Sequence, residues 1–129
     1  MNDVNDTDRL CLVHKWNDGR AVTLEVQAKY LNYDVSDNLK LRMREIVQDH
    51  MDAGVRFFVL DLTRVSIVDS CGVGLMIALH NMVRDQGSRL YLTGITHFLE
   101  KIFRMMHLDQ YFNVVTNEAG VRELAAEAV

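Results

Sequence analysis

The chain has 129 residues, 49% hydrophobic and 25% charged, with a formal net charge of −4. That length suits one domain with a single core and no need of covalent staples, and scattered Lys and Arg without a basic stripe argue against nucleic acid as the main partner. No apolar run approaches the ~18 residues that mark a membrane span; the two cysteines, Cys11 and Cys71, form no CxxC pattern and read as reduced thiols rather than a disulfide.

Residues 1–9 are rich in Asn and Asp and are expected to be flexible, and residues 10–129 to form the single domain. The polar, acidic start does not resemble a secretory signal, so a cytoplasmic protein is expected. "LCLVHKW" (10–16) reads as a strand, and "NDG" (17–19) as a tight turn in which Asp and Gly tolerate positive φ. "RAVTLEVQA" (20–28) alternates Val22, Leu24, Val26 and Ala28 with Thr23, Glu25 and Gln27, the pattern of a half-buried strand. After a loop containing residues 31–36, a helix is predicted with Ser36 or Asp37 as its cap, Leu39, Met43, Ile46, Val47, His50 and Met51 near one stripe, and Gly54 at its end.

Residues 56–61 lack alternation and predict a strand buried on both faces. Residues 71–86 predict a helix ended by Gly87, and "RLYLTG" a strand. "THFLEKIFRMM" predicts a helix capped by Thr96, with Phe98, Leu99, Ile102, Phe103 and Met106 as its apolar stripe and one exposed methionine beside it. "FNVV" predicts a short strand, and "NEAGVRELAAEA" a last helix capped by Asn117. Helices alternating with strands after an opening hairpin define an α/β protein with parallel neighbours.

Enzyme signatures are missing. Gly72 and Gly74 do not complete G-x-G-x-x-G, because Ile77 stands at the third glycine position, and no phosphate-binding G-x-x-x-x-G-K-[ST] run occurs. His14, His50, His80, His97 and His107 show no H-x-x-x-H spacing. No catalytic residue, metal or cofactor is therefore expected. Cys71 at a helix start could be reactive and act as a thiol redox sensor; its plainer reading is a small residue at a crowded turn.

That turn is the most informative stretch. In Asp69-Ser70-Cys71-Gly72, Ser70 or Asp69 can cap the following helix, the free amides of the first turn favour an anion, and glycine allows close backbone approach. This describes either a well-capped helix or a phosphoswitch.

The stretch from Phe58 to Val115, and the chain over roughly residues 10–125, resembles the STAS domain family of sulfate transporters and anti-sigma factor antagonists. The family's pattern D-L-x-x-V-x-x-[LIVM]-D-S-S-G is matched by Asp61-Leu62-Thr63-Arg64-Val65-Ser66-Ile67-Val68-Asp69-Ser70-Cys71-Gly72, followed by Gly87-Ser88-Arg89-Leu90. The resemblance implies a mixed, mostly parallel sheet of four to five strands with helices mainly on one face. It implies a non-enzymatic regulator that binds a histidine-kinase-like anti-sigma factor or switch kinase and is released when the second serine of D-S-S-G is phosphorylated. Cys71 occupies that serine's position, with Ser70 the nearest hydroxyl. In the loop before the first helix the family has G-x-L-D, and Lys29-Tyr30-Leu31-Asn32 stands here, so Asn32 replaces a carboxylate. The expected partner surface comprises Asn32, Asp69, Ser70, Cys71, Gly72 and Leu75, from the 31–36 loop and the 69–76 helix start, with Asn32, Ser70, Cys71 and Leu75 on one exposed patch. A scaffold or assembly subunit is the alternative use of the same fold. The family often has glycine where His107 stands, which implies a positive φ there.

Overall fold

The computed structural model describes residues 10–116 and 118–127; the flexibility expected of residues 1–9 and the cap expected at Asn117 lie outside them. β1 (Cys11–Trp16) and β2 (Ala21–Val26) form an antiparallel hairpin with Trp16 opposite Ala21. Its turn runs through Asn17, Asp18 and Gly19, all at positive φ (55°, 57° and 78°), which Asn, Asp and Gly reach at least steric cost. The remaining elements are β3 (Tyr30–Leu31), α1 (Tyr33–Asp52), β4 (Phe57–Asp61), β5 (Ile67–Val68), α2 (Ser70–Asp85), β6 (Arg89–Thr93), α3 (His97–Met105), β7 (Asn113–Val115) and α4 (Glu118–Glu127).

The main sheet has the order β1-β2-β4-β6-β7, and every pair after the hairpin is parallel. Its period-two alternation separates two cores. Val22, Leu24, Val26, Phe58, Leu60, Leu90 and Leu92 face Leu39, Met43 and Val47 of α1, Leu75, Met76, Leu79 and Val83 of α2, and Leu99 and Phe103 of α3. Ala21, Phe57, Val59 and Tyr91 face the other way and are covered by Val121 and Leu124 of α4. Among the described residues, three helices therefore lie on one face and one on the other. Burying each large apolar side chain contributes about 1.5–3 kcal/mol, so the larger core dominates stability. Among the described residues no helix is long and apolar enough to cross a membrane.

Three helices end alike. After α1, Gly54 (φ 99°) donates to the Met51 carbonyl and Val55 to that of His50; after α2, Gly87 (φ 79°) donates to Arg84 and Ser88 to Val83. After α3, His107 takes the same place at φ 59°, with its amide on Arg104 and that of Leu108 on Phe103. These are Schellman ends, and the last puts a histidine where the left-handed conformation favours glycine.

The elements differ from the sequence reading in four places. α1 starts at Tyr33, with Asn32 as the cap residue, so neither Ser36 nor Asp37 caps it; Ser36 is buried inside the helix. Residues 30–31 and 67–68 pair as a separate two-stranded parallel sheet that runs too short to show periodicity. Phe98 and Met106 lie outside the core, 58% and 46% exposed, because α3 buries only Leu99 and Phe103, a stripe one residue wide at i, i+4. Met105 is exposed as well, so neither methionine of that segment is buried.

Candidate functional site

The β3–β5 pair sets the geometry of the site. Pairing Leu31 with Val68 brings the chain ahead of α1 beside the chain ahead of α2, and the Asp69 amide donates to the Leu31 carbonyl at 3.0 Å. Asp69 then joins the two helix starts through one carboxylate. Its Oδ1 accepts from the amides of Cys71 (2.9 Å) and Gly72 (3.1 Å) at the start of α2. Its Oδ2 accepts from the amide of Tyr33 (3.0 Å) at the start of α1. Asp69, rather than Ser70, is thus the cap of α2, and it also holds the Tyr33 amide at the start of α1, where the Asn32 side chain makes no capping bond. A carboxylate against first-turn amides is favoured by hydrogen bonding and by the macrodipoles of both helices.

Gly72 is required by this crossing. A Cβ there would lie 2.5 Å from the Leu31 carbonyl oxygen and 2.7 Å from a Val68 methyl carbon. Gly74, one turn position further, has open space on the same test.

The six residues expected at the partner surface divide. Ser70 and Cys71 are exposed, and Cys71 is a free thiol; Asn32 and Asp69 are half-buried. Gly72 is buried, and Leu75 is fully buried in the main core. The exposed patch expected to include Leu75 therefore does not: α2 turns that position toward the sheet, because positions 72, 73, 75, 76 and 79 form its buried face. Asn32 Oδ1 is buried and finds no hydrogen-bond partner among the described residues.

Three surface residues escaped the sequence reading. Tyr30 and Ile67 are register partners in the small sheet and point outward together, 44% and 50% exposed, while Leu31 and Val68 point inward. Tyr33, the first residue of α1, is 69% exposed, and its amide is the one held by Asp69. Lys29 places its Nζ 5.6 Å above the Tyr30 ring. The signal was present as apolar residues flanking the D-S-C-G turn, but their segments are too short to show which side faces water.

Chemically, the site does not hold a free anion pocket of the kind the helix start suggested. The Cys71 and Gly72 amides are already satisfied by Asp69. A phosphate added at this turn would bring about −1.5 to −2 charges next to that carboxylate and would act by repulsion. Among the described residues, no group of three His, Cys, Asp or Glu side chains is placed to hold a metal ion.

Residues 17–121 match the STAS domain family. Solved structures share the fold at low identity. One is a Thermotoga maritima protein proposed as an anti-sigma factor antagonist, with a TM-score of 0.75, 18% identity, and 92% of this chain and 97% of that chain covered. Another is the anti-sigma factor antagonist SpoIIAA, a Bacillus protein, in its unphosphorylated form, with a TM-score of 0.68, 15% identity, and 90% and 96% covered. A chain from the stressosome, described as a signal integration and transduction hub, aligns with a TM-score of 0.69, 18% identity, and 91% and 98% covered.

Proposed function

The chain belongs to the STAS domain family, and on that premise we propose that it is a non-enzymatic regulator of the anti-sigma factor antagonist kind. Its partner is a histidine-kinase-like anti-sigma factor or switch kinase, bound at the joined starts of α1 and α2, and binding proceeds without the usual phosphorylation switch. The observation that carries this reading is the exposed set Tyr30, Tyr33 and Ile67 around Ser70 and Cys71, on two helix starts held by a single carboxylate. Aromatic and aliphatic side chains on a rigid patch supply contact area at low entropic cost. The thiol at position 71 offers a serine kinase no hydroxyl, and Ser70 sits on the first residue of the helix.

The test expresses the host's histidine-kinase-like ATPases one by one and titrates each with this protein by calorimetry. One of them should bind, and Tyr33→Asp and Cys71→Glu should each weaken it by roughly tenfold or more, the first by removing an anchor and the second by adding charge beside Asp69. Failure of every candidate to bind, or full affinity in both variants, would contradict the proposal.

The likeness to a stressosome chain favours a second use of the same fold, as an assembly subunit. Light scattering separates the two: an assembly subunit self-associates into a particle of defined mass, whereas an antagonist forms its complex only with the partner.

A further inference from the structure

On the sheet face covered by α4, the carboxyl ends of the central strands remain open and form a cleft of about 490 Å³. Its floor follows from the strand register. Glu25, Asp61 and Thr93 stand in one row across β2, β4 and β6, and Thr23 and Val59 stand in the row below. Trp16 of β1 lines it, with its indole N–H donating to the Thr23 hydroxyl at 2.9 Å, and so does Val121 of α4.

Two polar groups in this row are less fully paired than Glu25. Thr93 is only 9% exposed, yet its hydroxyl makes no hydrogen bond among the described residues. Beside it, Asp61 accepts at Oδ1 from the amide (2.9 Å) and hydroxyl (2.5 Å) of Thr63, and no cation pairs with it among the described residues. Glu25 differs: Gln27, His14 and Arg64 all reach its carboxylate. The hydrogen bond from Gln27 lowers the pKa of its carboxyl most; burial, the next largest effect, opposes it, and His14 and Arg64 add to the lowering. The row therefore carries two adjacent carboxylates, and Asp61, next to the Thr93 hydroxyl, makes no ion pair among the described residues, with Arg122 also lining the cleft.

We propose that this cleft binds a small organic ammonium carried on a flat apolar body. The ammonium donates to the Asp61 carboxylate and the Thr93 hydroxyl, and the body lies against Trp16, Val59 and Val121. The volume falls within the range of small-molecule sites and far exceeds that of a bare ion. Its position at the carboxyl ends of parallel strands is where open α/β sheets gather ligands. An indole wall adds attraction for a cationic ligand.

Trp16 is the chain's one tryptophan, so its fluorescence reports occupancy of the cleft directly. The probes are phenethylamine, phenethyl alcohol and phenylpropionate, which share a body and differ in charge. The amine should give a saturable change, with the alcohol roughly tenfold weaker and the carboxylate weaker still. Asp61→Asn keeps the Oδ1 acceptor for Thr63 but removes the charge, and should cost the amine roughly tenfold while leaving the alcohol unchanged. Thr93→Val, which keeps the shape and deletes the hydroxyl, should weaken the amine in a second, independent background. Absence of a saturable response to the amine, equal affinity for all three probes, tightest binding of phenylpropionate, or unchanged amine affinity in both variants overturns the proposal.

Discussion

Asp69 caps two helices from one side chain, and that makes its removal costlier than the loss of an ordinary cap. An N-cap replaced by Ala loses about 0.5–2 kcal/mol. Asp69→Ala strips the amides of Cys71, Gly72 and Tyr33 of their acceptor and should cost roughly 2–3 kcal/mol, read from urea unfolding. Ser70→Ala, on an exposed position that caps nothing, should stay within about 0.5 kcal/mol. Equal losses in the two variants would show that the carboxylate does not clasp the helix starts. The two glycines of the same turn make a matched pair. Gly72→Ala drives a methyl into the Leu31 carbonyl and should cost about 1–3 kcal/mol, whereas Gly74→Ala meets open space inside a helix and should stabilise by about 0.5–1 kcal/mol.

His80 gives a pH prediction at the same scale. Its ring is buried against Tyr111 and Phe112, with centroids 4.8 and 5.6 Å away, and its Nδ1 has no partner among the described residues. Burial first, and the Arg84 charge second, lower its pKa from the ordinary value of 6.5. The unfolded chain therefore binds a proton at His80 more readily than the folded one. The stability contributed by neutral His80 is complete above the ordinary value and declines as pH falls below it toward the folded value. Unfolding free energy measured from about pH 7 down to about pH 5.5 should fall, and His80→Leu should flatten that decline. An identical slope in the variant would remove His80 as its source.

At the scale of elements, the end of α3 is a local strain placed at a predictable point. A non-glycine residue in the left-handed region costs about 1–2 kcal/mol of backbone energy. His107→Gly should recover part of it and raise stability by about 0.5–1 kcal/mol, seen as a higher thermal midpoint, provided the Schellman bonds from His107 and Leu108 are kept. A lower midpoint would mean that the imidazole makes a stabilising contact larger than the strain. The strands of the main sheet and Thr96 as the cap of α3 were legible because each follows from nearby residue types, and the positive φ at His107 because the family resemblance implied a glycine position there. The start of α1 was not, because its cap comes from Asp69, 36 positions along the chain, through the Tyr33 amide. The burial of Leu75 was missed for a related reason: an apolar run such as Leu75-Met76-Ile77-Ala78-Leu79 covers most of a helix surface, and only the position of the sheet decides which residue turns inward. At the site, the D-S-C-G turn was readable as a motif, but Tyr30, Tyr33 and Ile67 became surface residues only once β3 paired with β5.

For the whole molecule, the same α/β frame supports both the proposed partner surface, on the small β3–β5 sheet and the helix starts, and the cleft on the α4 face of the main sheet. The partner surface is built from β3, β5 and the starts of α1 and α2, all rigidly tied by Asp69, so its affinity should be set before the partner arrives rather than by ordering on binding. Position 71 then decides whether that affinity can be switched. On the proposed reading, a thiol there leaves the complex without phosphate-driven release. The most direct measurement adds ATP to the complex of this protein with its histidine-kinase-like partner and follows both dissociation and intact mass, for the wild type and for Cys71→Ser. The wild type should gain no phosphate and stay bound, while Cys71→Ser should gain one phosphate and dissociate. Phosphate on wild-type Ser70 with release of the partner would contradict the proposal, because the switch would then be intact and displaced by one residue.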